Sequence, residues 1–335
     1  MIAGAALSAW LADREAQNST LHAVEESARE WKRHPLMGRL DAELAGLVDP
    51  TAEQILGAAR RFMDERDEIE AMLRATLALN RVDPFYRPPF YPLSSDIHNG
   101  LLLVHNPLVS IALNVTHVDI LAAKKAGPRG ATSVAFTGQL SLNRFLKAGG
   151  ATLALWEAPE IADTFVASEA GHCRMAGRLT LRDGDELVID GRRQSFTIEH
   201  ATGEMVYLQA VVQAQAAPLT TEYDSKSMAF IGASSTDDAS SRVQMMVSLL
   251  RTMERDDALP IIIEALDNPQ FYTRWHIMRE LLAMDADAAL PPLRRMASSD
   301  PHPEVRAAAE QTLAMFFADE EDGPAPAQGD VACRA

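Results

Sequence analysis

The sequence is poor in cysteine and in long apolar runs, and each shortage excludes a class of protein. Its 335 residues contain two cysteines, Cys173 and Cys333, too few for a disulfide framework, so we expect a reducing, cytoplasmic setting. No apolar run reaches the roughly 18 residues that a membrane-spanning helix needs. The opening stretch MIAGAALSAWLADRE soon meets charged residues and lacks a basic start, which predicts a helix rather than a signal peptide. We therefore expect no membrane association.

Positive charge is scarce as well. Lys and Arg together number 31 against 47 Asp and Glu, which gives a formal net charge of −16. Proteins that bind a phosphate backbone need a basic face to release counterions, so we expect no nucleic-acid partner. The chain also contains no phosphate loop, no Gly-x-Gly-x-x-Gly, no Cys-x-x-Cys and no Gly-x-Ser-x-Gly elbow. These absences leave no sequence sign of a nucleotide-binding fold or of a serine hydrolase.

Residues 1–80 carry the 3.6-residue period of helices. The run PTAEQILGAARRFMDERDEIEAMLRATLALN starts at Pro50 and Thr51, and its apolar side chains fall along one stripe. It predicts one long helix, preceded by two shorter helices around Leu21–Trp31 and Leu36–Leu47. A stripe of this kind is typical of a face that packs against a core.

Residues 81–99 interrupt this pattern. Their central run, VDPFYRPPFYPLSSD, has four prolines that exclude a helix and favour extended backbone. Its aromatic side chains can hold the segment against a surface. We interpret it as a clamped connector between domains, and the alternative is a recognition segment for a partner.

Residues 100–233 change to the two-residue period of strands. Many short β-rich runs separated by Gly, Asn, Asp and Pro turns predict an antiparallel sandwich or barrel. The run RLTLRDGDELVIDGRRQSFTIEHATGEMVYLQAVV, with its Asp-Gly-Asp turn, resembles the cupin (jelly-roll) family over roughly residues 100–215. The resemblance implies a cupin-like antiparallel β domain. It also implies metal ligands from a His-x-His pair, which this sequence lacks.

The stretch ALNVTHVDIL supplies a different candidate for a metal site. Its His117-x-Asp119 pair, with His172 downstream, resembles the triad of the 2-oxoglutarate-dependent jelly-roll oxygenases. Two imidazoles and one carboxylate leave three positions open on an Fe(II) ion. The resemblance implies Fe(II) and 2-oxoglutarate as cofactors, with Arg182 as a bidentate partner for the far carboxylate.

A simpler interpretation of the same residues needs no metal. Alternation along VSIALNVTHV places Ile111, Leu113 and Val115 on one face with His117, which is typical of a sheet-interior histidine bonded to a neighbour such as Asp119. The opposite face would carry Ala112, Asn114, Thr116 and Val118. Glu199 and His200 have the same two interpretations, since they could be an acid–base pair or a polar strand end at the barrel rim.

Residues 234–318 predict stacked pairs of helices. Arg242, Arg274 and Arg306 stand 32 residues apart, and Leu249, Leu281 and Leu313 repeat at the same step. This period indicates an α-solenoid. The run DPHPEVRAAAEQTLAMF closely resembles a HEAT repeat, and residues 237–317 cover about two and a half such units. We expect the repeated arginines to bind turn carbonyls or acids of the neighbouring unit, and the acidic tail 319–335 to be disordered.

The sequence thus predicts a multidomain α+β protein with N-terminal helices, a central cupin-like β-sandwich or barrel and a short HEAT-like solenoid. Two functions are compatible with it. The first is a non-enzymatic binding or regulatory module that binds a protein or peptide through residues 237–317, with no cofactor predicted. The second is an Fe(II)-dependent oxygenase whose peptide, protein or small-molecule substrate is recruited by the repeats. Because a solenoid this short needs capping, we expect its first helix to pack on the rest of the chain or to form a homodimer.

Overall fold

The computed structural model describes residues 4–95, 97–120, 133–160 and 165–317. The chain divides into two compact units at Ser234 and Ser235, and Phe165 and Val166 count with the second unit. The predicted disordered tail, with Cys333, lies outside the described residues. No helix in the described part of the chain is long and apolar enough to cross a membrane.

The first unit begins with five helices. They are α1 (Gly4–Ala12), α2 (Arg14–Arg33), α3 (Pro35–Ala45), α4 (Ala52–Asp64) and α5 (Arg66–Val82). Asp13 caps α2 by accepting hydrogen bonds from the backbone N–H groups of Glu15 and Ala16. Thr51 and Gln54 form a capping box at the start of α4.

The prediction of one long helix from Pro50 onward is wrong. Glu65 leaves the helical region, with φ −79° and ψ 50°, and separates α4 from α5. The break lets both segments keep their apolar side chains on one core, since Phe62 and Met63 of α4 lie in the same cluster as Ile69 and Met72 of α5. Apolar periodicity alone does not detect such a bend, because the stripe continues through it.

Twelve strands follow within the described residues. They are β1 (Tyr91–Ser94), β2 (His98–His105), β3 (Val109–Thr116), β4 (Ser133–Phe136), β5 (Leu140–Lys147), β6 (Thr152–Glu157), β7 (Arg174–Thr180), β8 (Glu186–Asp190), β9 (Gln194–His200), β10 (Met205–Val212), β11 (Leu219–Asp224) and β12 (Phe230–Ser235). They form a six-stranded sheet in the order β1-β2-β3-β10-β5-β8 and two three-stranded sheets, β12-β11-β4 and β7-β6-β9. The hydroxyl of Ser195 in β9 donates to the carbonyl oxygen of Ala135 in β4 at 2.5 Å and so bonds the two small sheets together. The described pairings are antiparallel, as the sequence predicted.

The predicted connector is part of this unit. Its strand β1 pairs with β2, so the β structure starts at Tyr91, inside residues 81–99. Upstream of β1, the ring of Phe90 meets Trp31 of α2 edge to face at 4.5 Å, and Phe85 stacks on Trp10 at 4.7 Å. The aromatic side chains therefore clamp the segment to the N-terminal helices.

The helices cover one face of the six-stranded sheet. Helix α4 contacts β3, β5 and β10, and one apolar cluster contains side chains of the helices and of these strands. Arg144 of β5 adds a polar tie, since its guanidinium lies 2.6 Å from Asp64 of α4 and also pairs with Glu186 of β8. The opposite face of this sheet lines a cavity.

The second unit consists of helix pairs. Its helices are α6 (Asp238–Thr252), α7 (Leu259–Glu264), α8 (Phe271–Met284), α9 (Ala286–Ser299) and α10 (Pro303–Phe316), with short 3₁₀ helices at Asp256–Ala258 and Ala265–Asp267. Val305 of α10 lies in the apolar core of this unit and is 2% exposed.

The predicted role of the repeated arginines is confirmed for two of the three. Arg274 donates to Asp300 of the next turn at 2.7 and 2.8 Å and to the carbonyl oxygens of Asn268 and Pro269. Arg306 donates to the carbonyl oxygens of Asp300 and Pro301. Each arginine thus fixes a turn between helices.

Candidate functional site

The sheets of the first unit enclose a cavity of about 850 Å³. Strands β2, β3, β5, β8 and β10 line it from the six-stranded sheet, and β4, β6, β7 and β9 line it from the two small sheets. A cavity of this size is in the range that holds small molecules and cofactors. A β-structure filled only for stability would carry apolar side chains here instead.

Because side chains alternate along each strand, one face of the six-stranded sheet is apolar and the other carries polar side chains. On β10, Leu208 and Ala210 point to the apolar core under the helices, whereas Tyr207 and Gln209 line the cavity. On β3, Ile111 belongs to the same apolar core, whereas Asn114 lines the cavity. Since neighbouring strand residues point to opposite faces, this pattern places the polar side chains in the lumen.

A row of amides crosses three strands on the cavity face. Asn114 of β3 donates to Gln209 of β10 at 3.4 Å, and Gln209 donates to Asn143 of β5 at 3.0 Å. Asn143 is fully buried and donates to the carbonyl oxygen of Leu187 at 3.4 Å. A side-chain amide has two N–H groups and two acceptor lone pairs, so these bonds among the described residues leave half of the capacity of Gln209 for a ligand.

His98 of β2 lines the cavity as a neutral ring. Its Nδ1 lies 2.9 Å from the hydroxyl of Thr116, which is itself fully buried. Burial lowers the pKa of His98, and the neighbouring His117 lowers it further. Burial also raises the pKa of Tyr207, against the opposing effect of its hydrogen bond with Thr116, so the phenol is neutral too. His98 and Tyr207 therefore offer the cavity polar groups without charge, and the buried Thr116 hydroxyl holds both of them.

Aromatic rings supply the apolar part of the wall. Trp156 of β6 lines the cavity and donates its indole N–H to the hydroxyl of Thr197 at 3.0 Å. Phe145 of β5 lies 5.5 Å from Tyr207 between ring centroids. The charged side chains of the described lining are Glu199 and Lys226; both are exposed, and Arg178 holds the Glu199 carboxylate at 2.6 and 2.8 Å. The lining therefore combines neutral polar groups with aromatic faces.

His117 does not lie in this cavity. It follows the last residue of β3, its side chain is 32% exposed, and its Nε2 lies 2.8 Å from the side-chain amide of Asn99. Its Nδ1 lies 3.6 Å from Glu204, so among the described residues its polar partners differ from the predicted Asp119. The prediction of a sheet-interior histidine is wrong, because β3 ends at Thr116 and the side chain of His117, one residue further, is about one-third exposed.

The other residues of the predicted iron site are separate and exposed. Asp119 is exposed, and His172 is exposed at a backbone bridge with Ala229. Arg182 is exposed in the turn between β7 and β8, where its backbone N–H donates to Asp185. Within residues 4–95, 97–120, 133–160 and 165–317, no three His, Cys, Asp or Glu side chains are grouped to hold a metal ion. The structure therefore does not bring His117, Asp119 and His172 together.

Glu199 and His200 do not form the predicted acid–base pair. They are consecutive residues of β9, so their side chains leave opposite faces of the strand. Glu199 is paired with Arg178, and His200 is exposed at the strand end opposite Thr152. The pairing of Glu199 with Arg178 and the exposure of His200 favour a polar strand end over an acid–base pair.

Sequence reasoning missed most of the cavity side chains. Asn114 and Thr116 were placed together on the polar face of β3, but that face was not identified as the lumen. The signal for β10 was also present, since Tyr207 and Gln209 are polar residues at alternate positions of an apolar strand. His98 was missed because it falls within residues 81–99, which were interpreted as a connector.

The comparison with known protein families supports the helical repeats. Residues 231–314 match the family of HEAT repeats. No curated protein sequence matches this chain. The prediction of HEAT-like repeats is confirmed.

Solved structures similar to the chain include an ectoine synthase from P. lautus, with 10% identity, a TM-score of 0.20 and coverage of 36% of this chain and 68% of that one. A hydroxypropylphosphonic acid epoxidase from S. wedmorenis has 15% identity, a TM-score of 0.24 and coverage of 37% and 55%. A sugar phosphate isomerase of the cupin superfamily from Silicibacter pomeroyi has 11% identity, a TM-score of 0.22 and coverage of 43% and 79%. At these TM-scores the likenesses say nothing about what this chain binds.

Proposed function

We propose that the protein is a non-enzymatic binding module whose β domain holds a small, uncharged, polar molecule and whose repeats bind a protein. The cavity of the β domain, with its mixed polar, aromatic and aliphatic lining, is the observation that carries this proposal. Amides, a neutral histidine and the ring of Phe145 line it from the large sheet, and the ring of Trp156 lines it from the small sheets. Such a wall suits a ring with several hydroxyl or amide groups, for example a sugar or a nucleoside.

The described lining contains no buried charged side chain, so the cavity favours an uncharged ligand. A carboxylate or phosphate taken into the cavity would lose its hydration and find no guanidinium or ammonium group deep inside to replace it. Lys226 is exposed, and Arg178 already binds Glu199. A neutral ligand loses much less hydration on entering the cavity. The second N–H group and the second lone pair of the Gln209 amide can form hydrogen bonds in place of those to water.

The alternative function, an Fe(II) and 2-oxoglutarate oxygenase, has weaker support. It needs His117, Asp119 and His172 within reach of one ion and Arg182 directed at a co-substrate. The exposed, separated positions of these residues do not favour that arrangement. Metal content after anaerobic reconstitution with Fe(II) tests it, and stoichiometric iron lost in His117→Ala and His172→Ala would restore it.

A thermal-shift panel tests the cavity. Neutral sugars, polyols and nucleosides should raise the unfolding midpoint of the first unit, whereas the matching phosphates and carboxylates should not. A ligand at about 100 times its Kd stabilises by about 2.7 kcal/mol, which is roughly 5 to 10 °C for a unit of this size.

A pair of matched variants locates the binding. Gln209→Met removes the central amide of the row and should abolish the shift while the protein stays folded. Gln213→Met makes the same change just beyond β10, where Gln213 itself lies outside the cavity lining, donates to Ser110 and accepts from Gln139, and it should leave the shift intact. A panel without any neutral hit, or a Gln209→Met variant that binds normally, would refute the proposal.

The match to HEAT repeats supports a protein or peptide partner for residues 237–317, because stacked helix pairs present extended binding surfaces. Exposed apolar side chains such as Ile261 offer contact points. A photo-crosslinking residue at Ile261 should capture one defined protein in cells. The same residue at Val82, which is equally accessible in the first unit, should not.

A further inference from the structure

A second polar row crosses the large sheet beside the row of amides. Its members, which we call the His-Thr-Tyr row, are His98 of β2, Thr116 of β3 and Tyr207 of β10, on three neighbouring strands. Thr116 lies opposite His98 in the pairing of β2 with β3. Its hydroxyl is hydrogen-bonded to the His98 ring at 2.9 Å and to the Tyr207 phenol. His98 and Tyr207 line the cavity, whereas Thr116 is fully buried.

The burial of Thr116 makes this row directional. A fully buried hydroxyl that donates to nothing is costly, so the Thr116 proton goes either to Nδ1 of His98 or to the Tyr207 oxygen. The neutral ring of His98 has one N–H and one lone pair. If Thr116 donates to Nδ1, it accepts from the Tyr207 hydroxyl, and Nε2 carries the ring proton. If Thr116 donates to Tyr207, it accepts from Nδ1–H, and Nε2 carries the lone pair.

The two ends of the row therefore offer the cavity one donor and one acceptor in either direction. In the first direction Nε2–H of His98 is the donor and the Tyr207 oxygen is the acceptor, and in the second direction these roles are exchanged. Within the described part of the chain, Nε2 of His98 has no hydrogen-bond partner. Since His98 lines the cavity, this nitrogen is open to a ligand.

A hydroxyl group matches such a pair of ends, because it is both donor and acceptor and rotates about its C–O bond. A ring with neighbouring hydroxyl groups therefore satisfies the row in both directions. A nucleobase edge has its donors and acceptors at fixed positions, so it would bind only the molecules in which the row runs one way, which lowers its apparent affinity. On the small sheets, Trp156 has its indole N–H bound to Thr197, which leaves its apolar ring face for the C–H groups of a sugar ring.

We propose that the ligand of the cavity is a carbohydrate or related polyol and that the His-Thr-Tyr row selects it by binding one of its hydroxyl groups. This inference rests on the proposed function and names the class of ligand. His98 and Tyr207 touch the ligand, and Thr116 is a positioning residue that acts through them. Asn114 lies two residues from Thr116 on the same face of β3, so the row of amides is next to the row and binds further hydroxyl groups of the same ring.

Calorimetric titration of the full chain tests this assignment. The probes are neutral hexoses, pentoses and inositols, together with free nucleobases. We expect a hexose, pentose or inositol to bind and the nucleobases not to bind. The hydroxyl groups of the best ligand are then removed one at a time, and the deoxy analogue that lacks the group at the row should bind about tenfold more weakly.

A thermodynamic cycle between ligand and protein identifies the row as the cause. Thr116→Val keeps the shape of the side chain and removes its hydroxyl, so the parent ligand should bind about tenfold more weakly. One deoxy analogue should lose nothing further in this variant, because its missing hydroxyl and that of Thr116 belong to the same set of hydrogen bonds. Thr116→Ser keeps the hydroxyl and should bind as the unchanged protein does. If Thr116→Val does not fold, Tyr207→Phe gives the same cycle from the other end of the row.

Thr221→Val and Tyr223→Phe are the matched controls. Both side chains are fully buried in β11, in the same unit and outside the cavity lining. Each control loses a buried hydroxyl, as Thr116→Val and Tyr207→Phe do, but should bind the parent ligand and every deoxy analogue with unchanged dissociation constants.

Three results would overturn the proposal, and they differ in what they say of the proposed function. If nucleobases bind and polyols do not, the cavity holds a neutral ligand but the row does not select a carbohydrate. If Thr116→Val weakens the parent ligand and all of its deoxy analogues by the same factor, the row supports the fold and does not contribute to selection. If no neutral compound binds the unchanged protein, the proposed function fails together with this inference.

Discussion

The ion pair between Arg274 and Asp300 should dominate the stability of the second unit. The guanidinium donates two hydrogen bonds to the carboxylate at 2.7 and 2.8 Å, and the two side chains are 10% and 3% exposed. The same carboxylate accepts the backbone N–H of His302 at 2.8 Å. Asp300→Asn keeps the shape of the side chain but leaves Arg274 buried without a counter-charge.

The expected loss is large. Removing one partner of a buried pair costs about 3 to 5 kcal/mol, because the remaining charge stays desolvated. For a unit of somewhat under 100 residues, each kcal/mol lowers the midpoint by roughly 4 to 8 °C. Differential scanning calorimetry should therefore show the transition of the second unit lowered by at least about 12 °C in Asp300→Asn.

Asp257→Asn is the matched control for this experiment. Asp257 pairs with Arg255 in the same unit, but the two side chains are 67% and 51% exposed, so the loss of this pair should not move the transition measurably. If Asp300→Asn moved the midpoint no more than Asp257→Asn does, the pair would not stabilise the repeats and the reasoning would be refuted.

Acid should reproduce the effect in the unchanged protein. Burial alone would raise the pKa of Asp300, but the hydrogen bonds and charge of Arg274 outweigh it, and the pKa is lowered. A lowered carboxyl pKa stabilises the fold above the unfolded-state value of about 3.9, and this contribution is lost as pH falls below it. The midpoint of Asp300→Asn should lack this component of the acid dependence.

Three further predictions concern other parts of the molecule. Burial lowers the pKa of His302, so the second unit should lose stability as pH falls below about 6.5, and His302→Gln should flatten this change in calorimetric scans from pH 7 to 5. Gly149 has φ +60°, and a Cβ there would lie 2.2 Å from the carbonyl oxygen of Gly203. Gly149→Ala should therefore strongly lower the unfolding midpoint of the first unit. Gly177→Ala is the control, since Gly177 has open space around it, and it should cost about 1 kcal/mol or less. Trp31, 8% exposed, donates its indole N–H to a β2 carbonyl, so Trp31→Ala should cost about 3 to 5 kcal/mol in urea unfolding of the first unit, and a loss below about 1 kcal/mol would contradict the proposed packing of the helices on the sheet.

The repeats were predictable because their signal is redundant. A step of 32 residues repeats an arginine, a leucine and a turn together, so the role of Arg274 could be inferred from its position alone. The structure confirms that role through the contacts with Asp300 and the turn carbonyls. The spacing in the sequence predicts the tertiary contact here because each repeat packs mainly on its neighbours.

The β domain was predictable as a set of strands, but its cavity was not. Alternation on β3 separates Ile111 from Asn114 correctly, yet it does not say which face is covered by helices and which encloses a lumen. That choice depends on the packing of α4, which lies far away in the sequence. The apolar row of Ile111 and Leu113 does lie on a core, but β3 ends at Thr116, so His117 falls beyond the strand.

His98 shows a second limit of sequence reasoning. The prolines before it predict irregular backbone correctly up to Phe90, but they do not mark where the first hairpin begins. Proline is tolerated in an edge strand, and β1, which contains Pro92, is the edge strand of the large sheet. Since β2 is fixed by pairing with β1 and β3, the position of His98 at the cavity depends on contacts that no local pattern encodes.

Calorimetric titration after removal of metal ions tests the cavity proposal most directly. The protein would be dialysed against a chelator and titrated with the neutral compound that gives the largest thermal shift. We predict one site per chain with an unchanged dissociation constant, both in the unchanged protein and in the double variant His117→Ala, His172→Ala. Binding that disappears on chelation and returns only with Fe(II) would contradict a metal-free ligand cavity.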